Sequence, residues 1–416
     1  MGAMPQIQDF RDAAFNPFTA AKEGGGEGRI RDFHPELAKL REQNPVYDGD
    51  IKRHFGLDAD LTLLDVRHVA LLGAREVKEA CTNVELYSNA IYMPNLGVYF
   101  GRSVTTMDNP EHARFRRLFQ QAFGPKQIAR WGEGIIPRMI NRLIDGFEAR
   151  GHAELVSEFT LFFPFHFIHE LMALPVEDRD TFHRLAFGQI LLTFDPEHGY
   201  EAMEKLRSYL TETVTARRAA PIDGDFMSMI ATAEIDGERL PDDVVISFFR
   251  QLMNAGGDTS YNGFSTVLCA LLNHPEQLEA VKQDRTLVPK AIEEGLRWNS
   301  PVCMISRTPK RPVELAGVRI EPRDHMALIL PAANRDPAAF PDPDRFDIHR
   351  GSRAHGAFGF GSHICIGQHL ARLEMAHAMN ALLDRLPKLR RDESMPPPEV
   401  SGFMLRGPEQ LYVRFD

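Results

Sequence analysis

Residues 242–273 constrain the fold more than any other stretch. Over these 32 positions, apolar side chains fall on several helical faces at once: Val244, Val245, Ile246, Phe248, Phe249, Leu252 and Met253, then Phe264, Val267, Leu268, Leu271 and Leu272. Pro241 suits the first turn of a helix, and Asp242 and Asp243 suit its positive end. Such a helix would run roughly 48 Å at 1.5 Å per residue. Apolar on most sides, it has to cross the middle of a large domain.

The remaining pattern supplies what surrounds it. Helical periodicity covers 111–123, 126–149, 158–173, 177–190, 198–218, 275–284, 286–299 and 367–386, with shorter helices near 34–44 and 72–82. Strand signals are confined to 60–68, 313–320, 326–330 and a tail that reads as a hairpin of Phe403–Leu405 with Leu411–Phe415. The expectation is a mainly α fold with small β-sheets (α+β): a flexible segment over 1–30, including Gly24 to Gly28, ahead of a single domain over 31–416. Residues 83–107 lose periodicity but keep Tyr87, Tyr92, Met93, Leu96, Val98, Tyr99 and Phe100, so they read as a buried lid or a ligand-contacting loop.

Composition narrows the function classes. With 43% apolar and 25% charged residues, the 416-residue chain is neither collagen-like nor disordered. Its 48 Lys and Arg against 58 Asp and Glu give a net charge of -10, a poor general binder of nucleic acid or anionic membrane. No apolar run approaches 18 residues, and the charged first 35 residues lack a signal core. Cys81, Cys269, Cys303 and Cys365 lie far apart without a CxxC pair, which argues against zinc or disulfide frameworks. A cytoplasmic, monomeric protein in a reducing compartment is expected.

Two motifs carry chemistry. Inside the long helix, Ala255-Gly256-Gly257-Asp258-Thr259 places two glycines where each costs about 1 kcal/mol relative to alanine. They indicate either close helix packing or a local opening that admits a small ligand. The acid and alcohol that follow are expensive in apolar surroundings unless used. The second motif is Phe358-Gly359-Phe360-Gly361-Ser362-His363-Ile364-Cys365-Ile366-Gly367, just before a helix. Gly361 and Gly367 permit positive φ and close backbone approach. Free N–H groups at the helix start stabilise a thiolate, and a thiolate held by backbone donors suits the axial position of haem iron.

This FxxGxHxCxG pattern resembles the haem-binding loop of the cytochrome P-450 family, and the likeness runs from about residue 34 to 416 in the manner of the soluble bacterial type. The resemblance implies a fold with the long helix over haem b and the Cys loop beneath it, Cys365 being the axial metal ligand. It further implies that Asp258 and Thr259 are the catalytic proton relay to oxygen. Ala255, Gly256, Phe358, Gly361 and Gly367 would contact the cofactor, and His112, Arg116, Arg307 and His363 would bind its propionates. Glu294 and Arg297 match the ExxR motif, with Arg345 as the expected third partner and Arg350 the alternative. Asn109 stands where the family commonly has a second proline, which should affect only a turn.

The implied activity is a monooxygenase that hydroxylates a small hydrophobe: a terpenoid, steroid-like or aromatic molecule. A haem-thiolate peroxygenase and a non-catalytic haem-based ligand sensor are the alternatives. Substrate contacts by resemblance are Tyr92, Met93, Leu96 and Val98 of the aromatic loop, Phe187 and Leu191, and Met253. Val302, Met304, Ile305, Phe403 and Met404 complete the set. No flavin, nicotinamide or iron–sulfur motif is present, so electrons would come from a separate ferredoxin and its reductase. Arg114, Arg116, Arg117, Lys126 and Arg130 against Glu111 form either a solvated helix face or a docking face for that acidic partner.

Overall fold

The computed structural model describes residues 5–24, 29–58, 63–94, 96–193, 195–351 and 354–416. Its helices are α1 (Pro17–Gly24), α2 (His34–Gln43), α3 (Ile51–His54), α4 (Ala74–Thr82), α5 (Leu96–Phe100), α6 (Glu111–Ala122), α7 (Pro125–Glu133), α8 (Ile135–Asp145) and α9 (Phe163–Leu171). Then follow α10 (Arg179–Gly188), α11 (Pro196–Ala219), α12 (Phe226–Ala231), α13 (Asp242–Asn273), α14 (Pro275–Gln283), α15 (Val288–Trp298), α16 (Leu330–Asn334) and α17 (Gln368–Arg385). The strands are β1 (Val46–Asp48), β2 (His68–Leu71), β3 (Tyr87–Ser88), β4 (His152–Glu154), β5 (Glu234–Ile235), β6 (Glu238–Arg239) and β7 (Met304–Pro309). They continue with β8 (Val313–Leu315), β9 (Val318–Ile320), β10 (His325–Ile329), β11 (Arg390–Arg391), β12 (Val400–Ser401), β13 (Gly407–Pro408) and β14 (Tyr412–Arg414).

The mainly α architecture expected from the sequence is present. Helix α13 occupies the expected 32 residues and is buried through most of its length, packed by α9, α11, α15 and α17. Proline sits at both junctions, Pro241 before the first turn and Pro275 opening α14 after His274. A five-stranded sheet in the order β1-β2-β10-β7-β3 lies to one side, with β2 and β10 parallel and the other pairs antiparallel. This sheet fixes β7 and so places Ile305 and Arg307: Leu328 pairs Ile305 and Met326 pairs Arg307.

Several expectations are corrected. The start is not loose throughout: Ile7 and Phe10 are buried, and α1 packs on α10. The apolar side chains Ile7, Phe10, Phe15 and Phe18 join the main core, which gives this segment burial enough to order it. Residues 25–28 of the glycine-rich stretch lie outside the described residues. The helix expected over 126–149 breaks at Gly134, with φ -117° and ψ -88°. The strand expected over 60–68 begins only at His68, and residues 60–62 lie outside the described residues. The tail does not fold as Phe403–Leu405 on Leu411–Phe415. β12 pairs with β13, while β14 joins β4 and β11. Among the described residues no helix is long and apolar enough to cross a membrane.

Candidate active site

A single cavity joins the two chemical motifs. Ala255, Gly256 and Thr259 of α13 line it together with Phe358, His363, Cys365 and Gly367. Helix α13 continues past the glycine pair without a break. The glycines instead remove side chains: a Cβ on Gly257 would lie 2.3 Å from the Phe165 ring, and one on Gly256 would meet Ile168 at 2.9 Å. Gly257 therefore answers to packing, and Gly256 leaves room beside the cavity.

The Cys loop is held by its own backbone. Cys365 N–H donates to Phe358 O at 2.9 Å, and Gly361 has φ +72° with Cys81 O 2.6 Å from where a Cβ would sit. Only glycine fits there. Gly367 has φ -85°, so the expected left-handed freedom is unused. Its role is proximity, because a Cβ there would stand 4.0 Å from Cys365 Sγ. Cys365 is exposed, but to the cavity that it lines. Burial pushes its thiol up, while the Gly367 N–H, Arg116, Arg372 and the Gln368 N–H pull it down. Cys81, Cys269 and Cys303 are buried outside this cavity, and burial drives Cys269 and Cys303 up to about 12.

A cluster of nitrogen donors marks the cavity rim. The rings of His112 and His363 stack with centroids 3.8 Å apart. Arg116, one turn after His112, donates to Ile364 O at 2.5 Å, and Arg307 donates to Ser306 O at 2.7 Å. His112 Nε2 and Arg116 Nε are buried and without a partner. Burial and the neighbouring positive charges hold His112 at about 4 and His363 at about 2. Asn89, which the sequence reading missed, donates to Thr105 O at 3.0 Å and contacts His363 Nδ1 at 3.2 Å. Its amide nitrogen can only donate, so the neutral His363 ring carries its proton on Nε2. A thiol on one wall, and two arginines with two neutral histidine donors at the rim, fit an anionic metal macrocycle such as haem.

The substrate contacts divide. Tyr92, Val302 and Ile305 line the cavity. Phe187, Leu191 and Met253 are fully buried in the core instead, and Phe403 packs with Phe33 and Phe55 in a separate cluster that Met304 also joins. Met93, Val98 and Met404 are exposed, and Leu96 is half-buried in α5 away from the lining. Wall residues that the sequence did not single out include Phe167, Ile168, Leu171 and Leu252. Asp258 does not reach the cavity. It is buried behind Thr259, whose hydroxyl donates to Ala255 O at 2.7 Å.

The ExxR expectation is settled in favour of the alternative. Arg297 forks onto Glu294 at 2.7 and 2.8 Å, and Arg350 Nε completes the group at 3.1 Å. Arg345 has an exposed side chain that pairs with Asp347 at 3.9 Å and reaches the group only through its carbonyl, which accepts from Arg297 and Arg350.

Comparison with known proteins agrees with this geometry. Residues 165–415 match the family profile described as Cytochrome P450. Cytochrome P450 107B1 of Saccharopolyspora erythraea is 34% identical over 398 residues, 92% of this chain and 95% of that protein. A steroid C26-monooxygenase of Mycobacterium tuberculosis is 33% identical over 319 residues, 74% of this chain and 84% of that protein. The structure of CYP109E1 from Bacillus megaterium in complex with testosterone superposes with a TM-score of 0.81 at 27% identity, covering 92% of this chain and 99% of that one. The chain belongs to the cytochrome P450 family of haem-thiolate monooxygenases.

Proposed function

We propose that the enzyme hydroxylates a small hydrophobic substrate (a terpenoid, steroid-like or aromatic molecule) with electrons from a separate ferredoxin system. The carrying observation is where charge sits in the cavity. Phe167, Ile168, Leu171, Leu252, Val302 and Ile305 make apolar wall, while the charges of Arg116 and Arg307 gather on the rim beside the neutral His363. Glu374 also lines it, and burial raises its carboxyl to about 8, so it is mostly neutral at pH 7. Among the described lining residues Arg116 and Arg307 are the only side chains with a permanent positive charge, and with both assigned to the cofactor none is left to clamp a substrate carboxylate. A related steroid C26-monooxygenase and a testosterone-bound relative support the same class.

Haem, when bound, supplies the dioxygen activation. Cys365 would supply its thiolate ligand, and His112, Arg116, Arg307 and His363 would hold its carboxylates. Phe358, Gly361 and Gly367 would shape the loop that presents the thiolate, and Ala255 and Gly256 would leave space for the cofactor's small ligand. The chain would add dryness and proton delivery, with the Asp258 carboxylate behind Thr259 taking up protons that Thr259 Oγ hands on into the cavity. Titrating the oxidised holoprotein with a steroid, a monoterpene and a long-chain fatty acid tests the substrate class. Steroid or terpene is expected to shift the haem spin state with roughly micromolar affinity, the fatty acid at least about tenfold more weakly. Tighter binding of the fatty acid would refute the reading.

The ferredoxin face is supported by what remains of the basic helix surface. Arg116 points inward, and Arg114 is paired with Asp236 at 3.0 Å. Arg117, Lys126 and Arg130 stay exposed, and α7 packs against α17, the helix that leaves the Cys loop. A Lys126→Glu, Arg130→Glu double variant is expected to bind an acidic [2Fe–2S] ferredoxin roughly tenfold more weakly at low salt. Equal affinity in binding assays would place the docking face elsewhere.

A further inference from the structure

We infer that Asn254 and Gln189 form a latch that orients the Asp258 carboxylate, so that the connection after α10 is part of the proton-delivery apparatus. The inference rests on the reading of Asp258 as a proton relay. Asn254 lies one turn before Asp258 on α13 and is 6% exposed; Gln189 is fully buried in the short 3-10 turn Gln189–Thr193 that leaves α10. Asn254 Nδ2 donates to Ala186 O at 2.8 Å and to Asp258 Oδ2 at 3.4 Å. Its Oδ1 accepts from Gln189 Nε2, which also donates to Arg250 O at 3.3 Å.

Each amide is fixed by chemistry. A backbone carbonyl and a carboxylate can be served only by the NH2 side of Asn254, which turns its oxygen toward Gln189. A flip would set like against like at every contact. The donor side of Asn254 is thereby locked onto one oxygen of Asp258. A hydrogen bond donated to a carboxylate favours its charged form, so removing the Asn254 donor is expected to favour the protonated form. Ala186 and Gln189 both belong to the α10 end, so a shift of that segment relative to α13 changes the bond to Asp258. Asn254 and Gln189 are positioning residues; neither lines the cavity.

Titratable and charged groups on the elements packed against this stretch include Arg250 and Tyr261 of α13 itself, His166, His169 and Glu170 of α9, and Arg179, Asp180, His183 and Arg184 of α10. Those of α11 include Glu201, Glu204, Lys205, Arg207 and Tyr209. The measurement must therefore isolate one carboxyl. Infrared difference titration of the holoprotein does so, with Asp258→Asn as the blank that identifies the Asp258 C=O band. In Asn254→Leu that band is expected to titrate about one pH unit higher, a tenfold change, with Gln189→Met moving it the same way by less. Gln189→Met also serves if Asn254→Leu fails to fold. An unmoved titration in the folded variants overturns the latch. The relay is read separately: Asp258→Asn and Thr259→Ala are expected to divert electrons from product into hydrogen peroxide. A shifted titration with undiminished product yield in those two variants would keep the hydrogen bond but overturn a role in proton delivery.

Discussion

Replacing Cys365 by serine is expected to abolish the strongly red-shifted Soret band of the reduced, carbon monoxide-bound protein and to cut product formation by on the order of 10³-fold, about 4 kcal/mol in the barrier. The structure narrows the ligand to this residue. Cys365 alone among the four cysteines lines the cavity, and the others are buried elsewhere. The groups that favour its thiolate are already in place: the N–H donors of Gly367 and Gln368 and the charges of Arg116 and Arg372. Serine keeps the size but offers an alcohol of much higher pKa, which donates little electron density. Cys81→Ser is the control, and it should leave the band unchanged. A red-shifted band that survives in Cys365→Ser would remove this residue as ligand.

What the sequence revealed depended on whether a position was marked by its type or only by its polarity. Helix α13 was legible end to end because Pro241 and Pro275 punctuate a run that is apolar all round. The Cys loop was legible because glycine, histidine and cysteine at that spacing have few other uses. The cavity wall was not. Met253, Leu191 and Phe187 are as apolar as Ile168 and Leu252, and periodicity tells which face of a helix they share, not whether that face meets core or cavity. Asn89 escaped because a lone polar residue in an aperiodic loop carries no pattern; its partner His363 lies 274 residues away. Strand pairing failed for a related reason. β4, β11 and β14 have two or three residues each, too short for alternation to show, and their partners are distant in the chain. Gly134 within an otherwise helical run was the available signal for the break between α7 and α8.

Glu294→Gln is expected to destabilise the folded protein by about 3–5 kcal/mol and to lower haem retention with it. Glu294 is 5% exposed and accepts from Arg297, Arg350 and the Asp347 N–H. Glutamine would leave Arg297, itself 2% exposed, as a buried charge without a countercharge at its fork. The damage would reach the Cys loop through a chain of hydrogen bonds. Arg297 Nη1 donates to the carbonyls of Asn334 and Pro343, both at 2.9 Å. Asn334 in turn accepts from Gly356 N–H at 2.6 Å, at the start of the turn whose Phe358 carbonyl holds Cys365 N–H. The two candidate arginines separate the geometry from simple loss of charge. Arg350→Ala should cost about 2 kcal/mol, since its guanidinium bonds a buried carboxylate and the loop carbonyls. Arg345→Ala should stay within about 0.5 kcal/mol, because its side chain is 71% exposed. Urea midpoints with haem absorbance followed in parallel provide the measurement. Equal losses for Arg345→Ala and Arg350→Ala, or an Glu294→Gln protein as stable as the parent, would show that the triad does not anchor this loop.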